Sequence, residues 1–248
     1  MTPAVEFDHV SKHYGDTGVL DDFSLTVERG AFLTIIGRSG CGKTTALKLI
    51  NGLLKADAGY VRVDGQDVCH RDPIALRRST GYSIQGVGLF PHLTVGKNIA
   101  FVPSLSHMWD KPTEKAEVAR LLETVGLEPD FAHRYPSELS GGQRQRIGIA
   151  RALAAKPGLM LMDEPFGAVD EITRRALQDE LQRLHQELQL TILFVTHDIG
   201  EALKLGTRVL VMEVGKTCQC GTPQEIQQHP ANDFVRTLVG GDDAFEHA

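Results

Sequence analysis

Gly37-Arg38-Ser39-Gly40-Cys41-Gly42-Lys43-Thr44 sets glycine, lysine and threonine at the spacing G-x-x-x-x-G-K-[ST], with Thr45 behind them. A segment of this kind can cradle an anion. Glycine lets the backbone curl so that successive N–H groups face one point. A helix starting near Lys43 adds its positive dipole end to the same place. Lys43 then reaches the β- and γ-phosphates of a nucleoside triphosphate, and the Thr44 hydroxyl is a ligand for Mg²⁺. The motif needs a strand before it and a helix after it. Residues 32–36 are a continuous apolar run, and Leu47, Ile50 and Leu54 share one helical face, so both are expected.

Leu159-Met160-Leu161-Met162-Asp163-Glu164 describes a buried strand that delivers two carboxylates to the edge of a sheet. Asp163 is placed to hold Mg²⁺ through water, and Glu164 to orient and deprotonate an attacking water. Two acids after a strand can also be a helix cap; the phosphate loop tips the reading to catalysis. Leu139-Ser140-Gly141-Gly142-Gln143 opens a helix. Ser140 and Gln143 can form a capping box, or the paired glycines can let the backbone approach an anion.

The elements that must position these residues follow from periodicity. Phe23, Leu25 and Val27 alternate with Ser24, Thr26 and Glu28, as in a half-exposed antiparallel strand. Val61 and Val63 lead into Asp64-Gly65, a hairpin signal, with Val68 on the return strand. Residues 192–195 and 208–212 predict further strands, separated from 159–162 by an amphipathic helix over about 173–189. Helices are also predicted around Ala116–Glu123, ending near Gly126, and over 144–154. Thr222-Pro223-Gln224-Glu225 is a capping box with proline at the first helical position. Strands alternating with helices predict an α/β fold with a parallel sheet.

The 248 residues carry 26 basic and 32 acidic side chains, a net charge of −6, which argues against a nucleic-acid-coating surface. Hydrophobic residues at 42% and charged residues at 23% are globular proportions. No apolar run nears the ~18 residues of a membrane-spanning helix. The first ten residues do not have the form of a secretory signal, and four cysteines do not make a disulfide scaffold. A soluble, cytoplasmic protein is expected.

In combination these motifs resemble the nucleotide-binding subunit of an ATP-binding-cassette (ABC) transporter. Leu139 to Gln143 is similar to the signature sequence of that family, which P-loop kinases and GTPases lack, and the resemblance covers about residues 5–240. It implies a P-loop NTPase (RecA-like) α/β core with an antiparallel β subdomain and an inserted helical subdomain. Residues 1–248 would form one nucleotide-binding domain. The β subdomain and core would take 1–87 and 156–216, the helical subdomain 88–155, and a C-terminal helical extension 217–248. Tyr14 then corresponds to the aromatic that stacks on adenine. Gln85 corresponds to the glutamine that senses Mg²⁺ and the attacking water. Asp170 falls in the loop after the catalytic carboxylate, where Val169 replaces the usual leucine, and His197 matches the switch histidine.

The implied nucleotide contacts are Tyr14, the loop from Gly37 through Arg38, Ser39, Gly40, Cys41, Gly42, Lys43 and Thr44 to Thr45, then Ser140, Gly141, Gly142, Gln143 and Asp170. Catalysis falls to Glu164, His197, Lys43 and Gln85, and Mg²⁺ to Thr44, Gln85 and Asp163. ATP and Mg²⁺ are the implied cofactors. A second copy binds head to tail, presenting its Ser140, Gly141 and Gly142 to the γ-phosphate. Membrane permease subunits and, indirectly, a substrate-binding protein are the other partners, with no nucleic acid, at the cytoplasmic face of the membrane.

Arg77-Arg78, Gly81-Tyr82-Ser83-Ile84-Gln85, Gly88-Leu89-Phe90-Pro91-His92-Leu93-Thr94 and residues 163–174 resemble the branch that imports glycine betaine, choline and related quaternary ammonium osmoprotectants. Many members of that branch carry C-terminal regulatory modules, for which a chain ending at Ala248 leaves no room, so ionic-strength sensing by such a tail is not expected. The same motifs recur in importers of sulfonates, nitrate and polyamines, which are the alternative cargoes. A soluble ABC ATPase acting on chromosomes would need a long insertion between Lys43 and Ser140 and a basic surface. The apolar stretch from Gly88 to Val95 is expected to offer a groove to a permease helix.

Overall fold

The computed structural model describes residues 2–84 and 88–240. The chain passes through β1 (Val5–Tyr14), β2 (Thr17–Val27), β3 (Phe32–Gly37), α1 (Lys43–Ile50), β4 (Ala58–Val63), β5 (Gln66–Asp67), α2 (Pro73–Ser79) and β6 (Thr80–Ser83). It continues through α3 (Val95–Ile99), α4 (Phe101–Leu105), α5 (Lys111–Thr124), α6 (Gly141–Leu153), β7 (Leu159–Asp163) and α7 (Glu171–Leu188). Last come β8 (Thr191–Val195), α8 (Ile199–Leu205), β9 (Arg208–Glu213), β10 (Lys216–Gly221), α9 (Pro223–Gln228) and α10 (Asp233–Val239). Two units result, one of residues up to Leu76 with those from Thr191 on, the other of Arg77 to Leu190.

In the first unit β3 is apolar at nearly every position because side chains on both its faces are buried, and its backbone is paired on both edges. It runs parallel to β8 from Phe32↔Ile192 and parallel to β9 from Leu33↔Arg208. Thr34, its buried polar residue, donates its hydroxyl to the Ala202 carbonyl at 3.0 Å, so burial leaves no orphan. Helices α8 to α10 cover this sheet through a cluster of Ile36, Ala202, Val209, Val211, Ile226 and Val235. A separate antiparallel sheet joins β1 to β2 and β4. Phe7 and Phe23 meet edge to face across it, 5.1 Å apart, with the alternation of β2 as expected.

The second unit pairs β6 parallel to β7, from Thr80↔Leu159 to Ser83↔Met162. Around that pair, α7 buries Leu177, Leu181 and Leu184, one helical face at i, i+4 and i+7, while α5 buries Val118, Leu121 and Leu122.

Three expectations change. Helix α1 ends at Ile50 instead of running to Leu54, because Gly52 adopts φ +61° and closes it. Gly52 N–H bonds to the Leu49 carbonyl at 3.2 Å and Leu53 N–H to that of Lys48 at 2.9 Å. Val68 is not on a return strand: β5 stops after two residues, where Asp67 caps a 3₁₀ turn by accepting from Cys69 N–H at 2.9 Å. Residues 217–221, expected at the start of a helical extension, are strand. Val214 and Gly215, at φ +45° and +76°, form a tight turn that folds β10 antiparallel onto β9.

Candidate functional site

Strand β3 hands the chain to the glycine loop under close constraint. Gly37 stands at φ +148°, where a Cβ would lie 2.1 Å from the Met212 carbonyl oxygen. Gly42 stands at φ +101°, where one would lie 2.7 Å from that of Val19. Only glycine fits either place. From Gly42 the chain enters α1, and this helix start has no side-chain cap and no acid in its first turn. Helices α3 and α5 to α10 all differ, their first turns being capped by Thr94, Asp110, Ser140, Asp170, Asp198, Thr222 and Asn232. The positive end of the helix dipole therefore faces the glycine loop with no side-chain carboxylate or hydroxyl capping it.

Lys43 is only 8% exposed, and its ammonium donates to the carbonyls of Gly37 at 2.8 Å and Arg38 at 2.9 Å. The Cys41 sulfur, also buried, lies 3.8 Å from the same nitrogen. Ser39 and Gly40 are exposed, Thr44 half-buried and Thr45 buried. The exposed Arg38 sets its guanidinium over the Phe234 ring of α10, 5.3 Å from the centroid. The first unit contributes two more of the expected residues. Tyr14, 48% exposed, ends β1 at a hairpin. His197 is exposed just beyond β8.

The remaining expected residues belong to the second unit. Asp163, 2% exposed, ends β7. Its charge, after burial, helps push the Tyr82 phenol on β6 up to about 12. Glu164 follows at φ +48°, in the left-handed region that a non-glycine residue enters only when its surroundings impose it. Its carbonyl accepts from Gly167 N–H at 3.3 Å, and that of Phe166 from Val169 N–H at 3.0 Å, so the turn after the strand holds the strained residue. Ser140 and Gln143 form the reciprocal capping box at the start of α6, at 3.2 and 2.9 Å. Of the two readings of this segment the structure shows the capping box, and a Cβ at Gly142 would lie 3.0 Å from the Ala168 carbonyl oxygen. Gln145, which the sequence did not single out, accepts from Ala168 N–H at 2.7 Å and so ties α6 to the loop behind Glu164. Asp170 caps α7, and the Thr173 amide and hydroxyl, with Arg146, hold its carboxyl below the usual value.

Gln85 lies outside the described residues. In the stretch expected to form a groove, Val95 is buried, Phe90 half-buried against Phe101 at 4.6 Å, and Pro91 and His92 exposed. Buried Asn98 gathers this segment by donating to the carbonyls of Phe90, Leu93 and Thr94 at 3.0–3.1 Å. Among the described residues no cluster of His, Cys, Asp or Glu could hold a metal by itself. The oxygen donors of Thr44 and Asp163 suit Mg²⁺, an ion that keeps waters and takes phosphate oxygens as further ligands. No helix among the described residues is long and apolar enough to cross a membrane.

Comparison with known proteins gives the wider setting. The family profile described as ABC transporter matches residues 20–167. The glycine betaine/carnitine/choline transport ATP-binding protein OpuCA of Bacillus subtilis is 47% identical over 95% of this chain and 62% of its own length. The glycine betaine uptake system ATP-binding protein YehX of Escherichia coli is 47% identical over 95% of this chain and 76% of its own. The sulfate/thiosulfate import ATP-binding protein CysA of Bordetella parapertussis is 44% identical over 96% and 67%. The chain thus spans about three-fifths of the OpuCA it matches. A solved dimer of the ATP-binding cassette MJ0796 with ADP and Pi superposes with a TM-score of 0.83 at 31% identity, over 88% of this chain and 98% of that one.

Proposed function

The chain belongs to the ABC transporter family, and from that premise we propose that it hydrolyses ATP to drive an importer of quaternary ammonium osmoprotectants such as glycine betaine or choline. One observation carries the ATP chemistry: the uncapped start of α1, framed by Gly37 and Gly42, with a buried ammonium at its first residue. Such a site selects a polyphosphate by charge, the Lys43 ammonium and the positive helix end both facing the glycine loop. The printed functions of OpuCA and YehX support the cargo.

On this reading residues 1–248 act as one nucleotide-binding domain. Tyr14 stacks on the base. The loop from Gly37 to Thr45 wraps the phosphates, and Lys43 leaves the carbonyls of Gly37 and Arg38 to bond the β- and γ-oxygens, countering charge that builds there. Thr44 and Asp163, with Gln85, would hold Mg²⁺, which supplies further charge neutralisation to the phosphates. Glu164 accepts the proton of the attacking water, and His197 keeps the γ-phosphate in line. A second copy, head to tail, brings its Ser140, Gly141 and Gly142 to the γ-phosphate, so each subunit completes the other's site, with Gln143 and Asp170 as further nucleotide contacts. MJ0796, a cassette solved as a dimer, supports this arrangement. Permease subunits hold the pair at the cytoplasmic face of the membrane, fed by a substrate-binding protein.

Substituting Glu164→Gln tests the chemistry. The variant binds ATP, accumulates as a dimer in light scattering and loses turnover by at least about 100-fold; wild-type turnover in the variant removes Glu164 from its role. The CysA relative supports a second reading, a sulfur oxyanion cargo. Uptake of labelled glycine betaine against labelled thiosulfate in cells with and without the gene separates the two.

A further inference from the structure

Glu201 is a buried carboxylate, 7% exposed, to which the roles above give no task. It stands in the first turn of α8, a few residues past His197, and its Oε2 accepts a 2.7 Å hydrogen bond from the Thr196 hydroxyl. That hydroxyl oxygen accepts in turn from Asp198 N–H at 3.0 Å, and Asp198 Oδ1 accepts from Glu201 N–H at 3.0 Å. Three hydrogen bonds thus close a ring through residues 196, 198 and 201, and His197 projects from it as the exposed member. The ring is fastened to the strand that feeds the phosphate loop. Thr196 N–H donates to the Ile35 carbonyl at 3.2 Å, and the Thr34 hydroxyl to that of Ala202 at 3.0 Å. A hydroxyl has one proton to give; with Asp198 N–H already donating to its oxygen, Glu201 fixes where that proton points.

We propose that Glu201 is a positioning residue: through the Thr196 hydroxyl it sets the backbone at His197, and so the aim of the imidazole toward the phosphate-binding loop. The inference rests on the nucleotide reading above and deepens it. Neither Glu201 nor Thr196 touches nucleotide on this account, so their loss falls on the chemical step and not on ATP binding.

Steady-state ATPase assays with Mg-ATP test it. H197A slows turnover, and its residual rate is read at high enzyme concentration. E201A and T196V lower kcat about 10-fold with KM for ATP within about twofold of wild type. E201Q, whose amide oxygen still accepts from Thr196, stays within about threefold of wild type. The double variant H197A/E201A is no slower than H197A alone, because both changes act through one group. An E201A variant at the wild-type rate, an E201A loss that adds to that of H197A, or a rise in KM with kcat unchanged would overturn the proposal. If E201A does not fold, T196V and E201Q decide: wild-type kcat in T196V, or E201Q falling as far as T196V, overturns it. A wild-type chain with no ATPase activity removes the nucleotide reading as well. A chain that turns over, is slowed by H197A and ignores E201A removes this inference alone.

Discussion

Gly42 precedes Lys43 at φ +101°, and a Cβ there would sit 2.7 Å from the Val19 carbonyl. Gly42→Ala must therefore shift either the loop or β2, and it strains a left-handed backbone besides, at about 1–3 kcal/mol. The expected outcome is at least a 10-fold weaker affinity for ATP with a lowered Tm, read by nucleotide titration and thermal melts. The glycines were legible because their spacing encodes this geometry. The left-handed φ of Glu164 was not. Nothing in Asp163-Glu164-Pro165 announces it, since it comes from the turn that Gly167 and Val169 close behind it and not from the residue's own preference. The folded-back bonds of Lys43 were equally hidden, because carbonyls of the loop itself accept them.

Helix ends carry much of the information at the level of elements. The boxes at Ser140 and Thr222 were readable as sequence, and both form. The stop of α1 lies in Asn51-Gly52, where Gly52 at φ +61° ends the helix although the apolar spacing continues to Leu54. The β9–β10 turn escaped because Val214-Gly215 lacks the usual Asn or Asp at its first central position. Asp170 gives the caps a pH signature. The Thr173 amide and hydroxyl, then Arg146, hold its folded value below the ordinary 3.8. Its contribution to stability is therefore whole above that ordinary value and is lost as pH falls through the lower folded one. Asp170→Asn keeps an acceptor without titrating. Its Tm should lie below that of wild type at pH 7 and converge with it as the pH falls below the ordinary carboxylate value; a constant gap across the series would rule out the carboxylate as the source.

Taken as a whole molecule, the activity proposed requires a second copy, with nucleotide as the proposed link between the two. Lys43→Ala, which removes the ammonium meant for the phosphates, should stay monomeric with ATP under conditions where Glu164→Gln dimerises, as light scattering would show; equal dimerisation would uncouple assembly from the loop. An α/β core with a helical insertion was legible from the alternation of strands and helices. The assembly of the first unit from two distant stretches was less so, because pairing β3 with β8 and β9 is a choice among parallel partners that periodicity does not rank. That pairing has a consequence during synthesis. Residues 32–37 leave the ribosome with both edges bare, and neither neighbour exists until the whole of 77–190 has been translated. Until then the most apolar strand of the nascent chain is available to any other strand it meets. A pause or premature stop in translation near residue 190 would release an aggregation-prone fragment, and the growing polypeptide is a natural client for a chaperone at that stage.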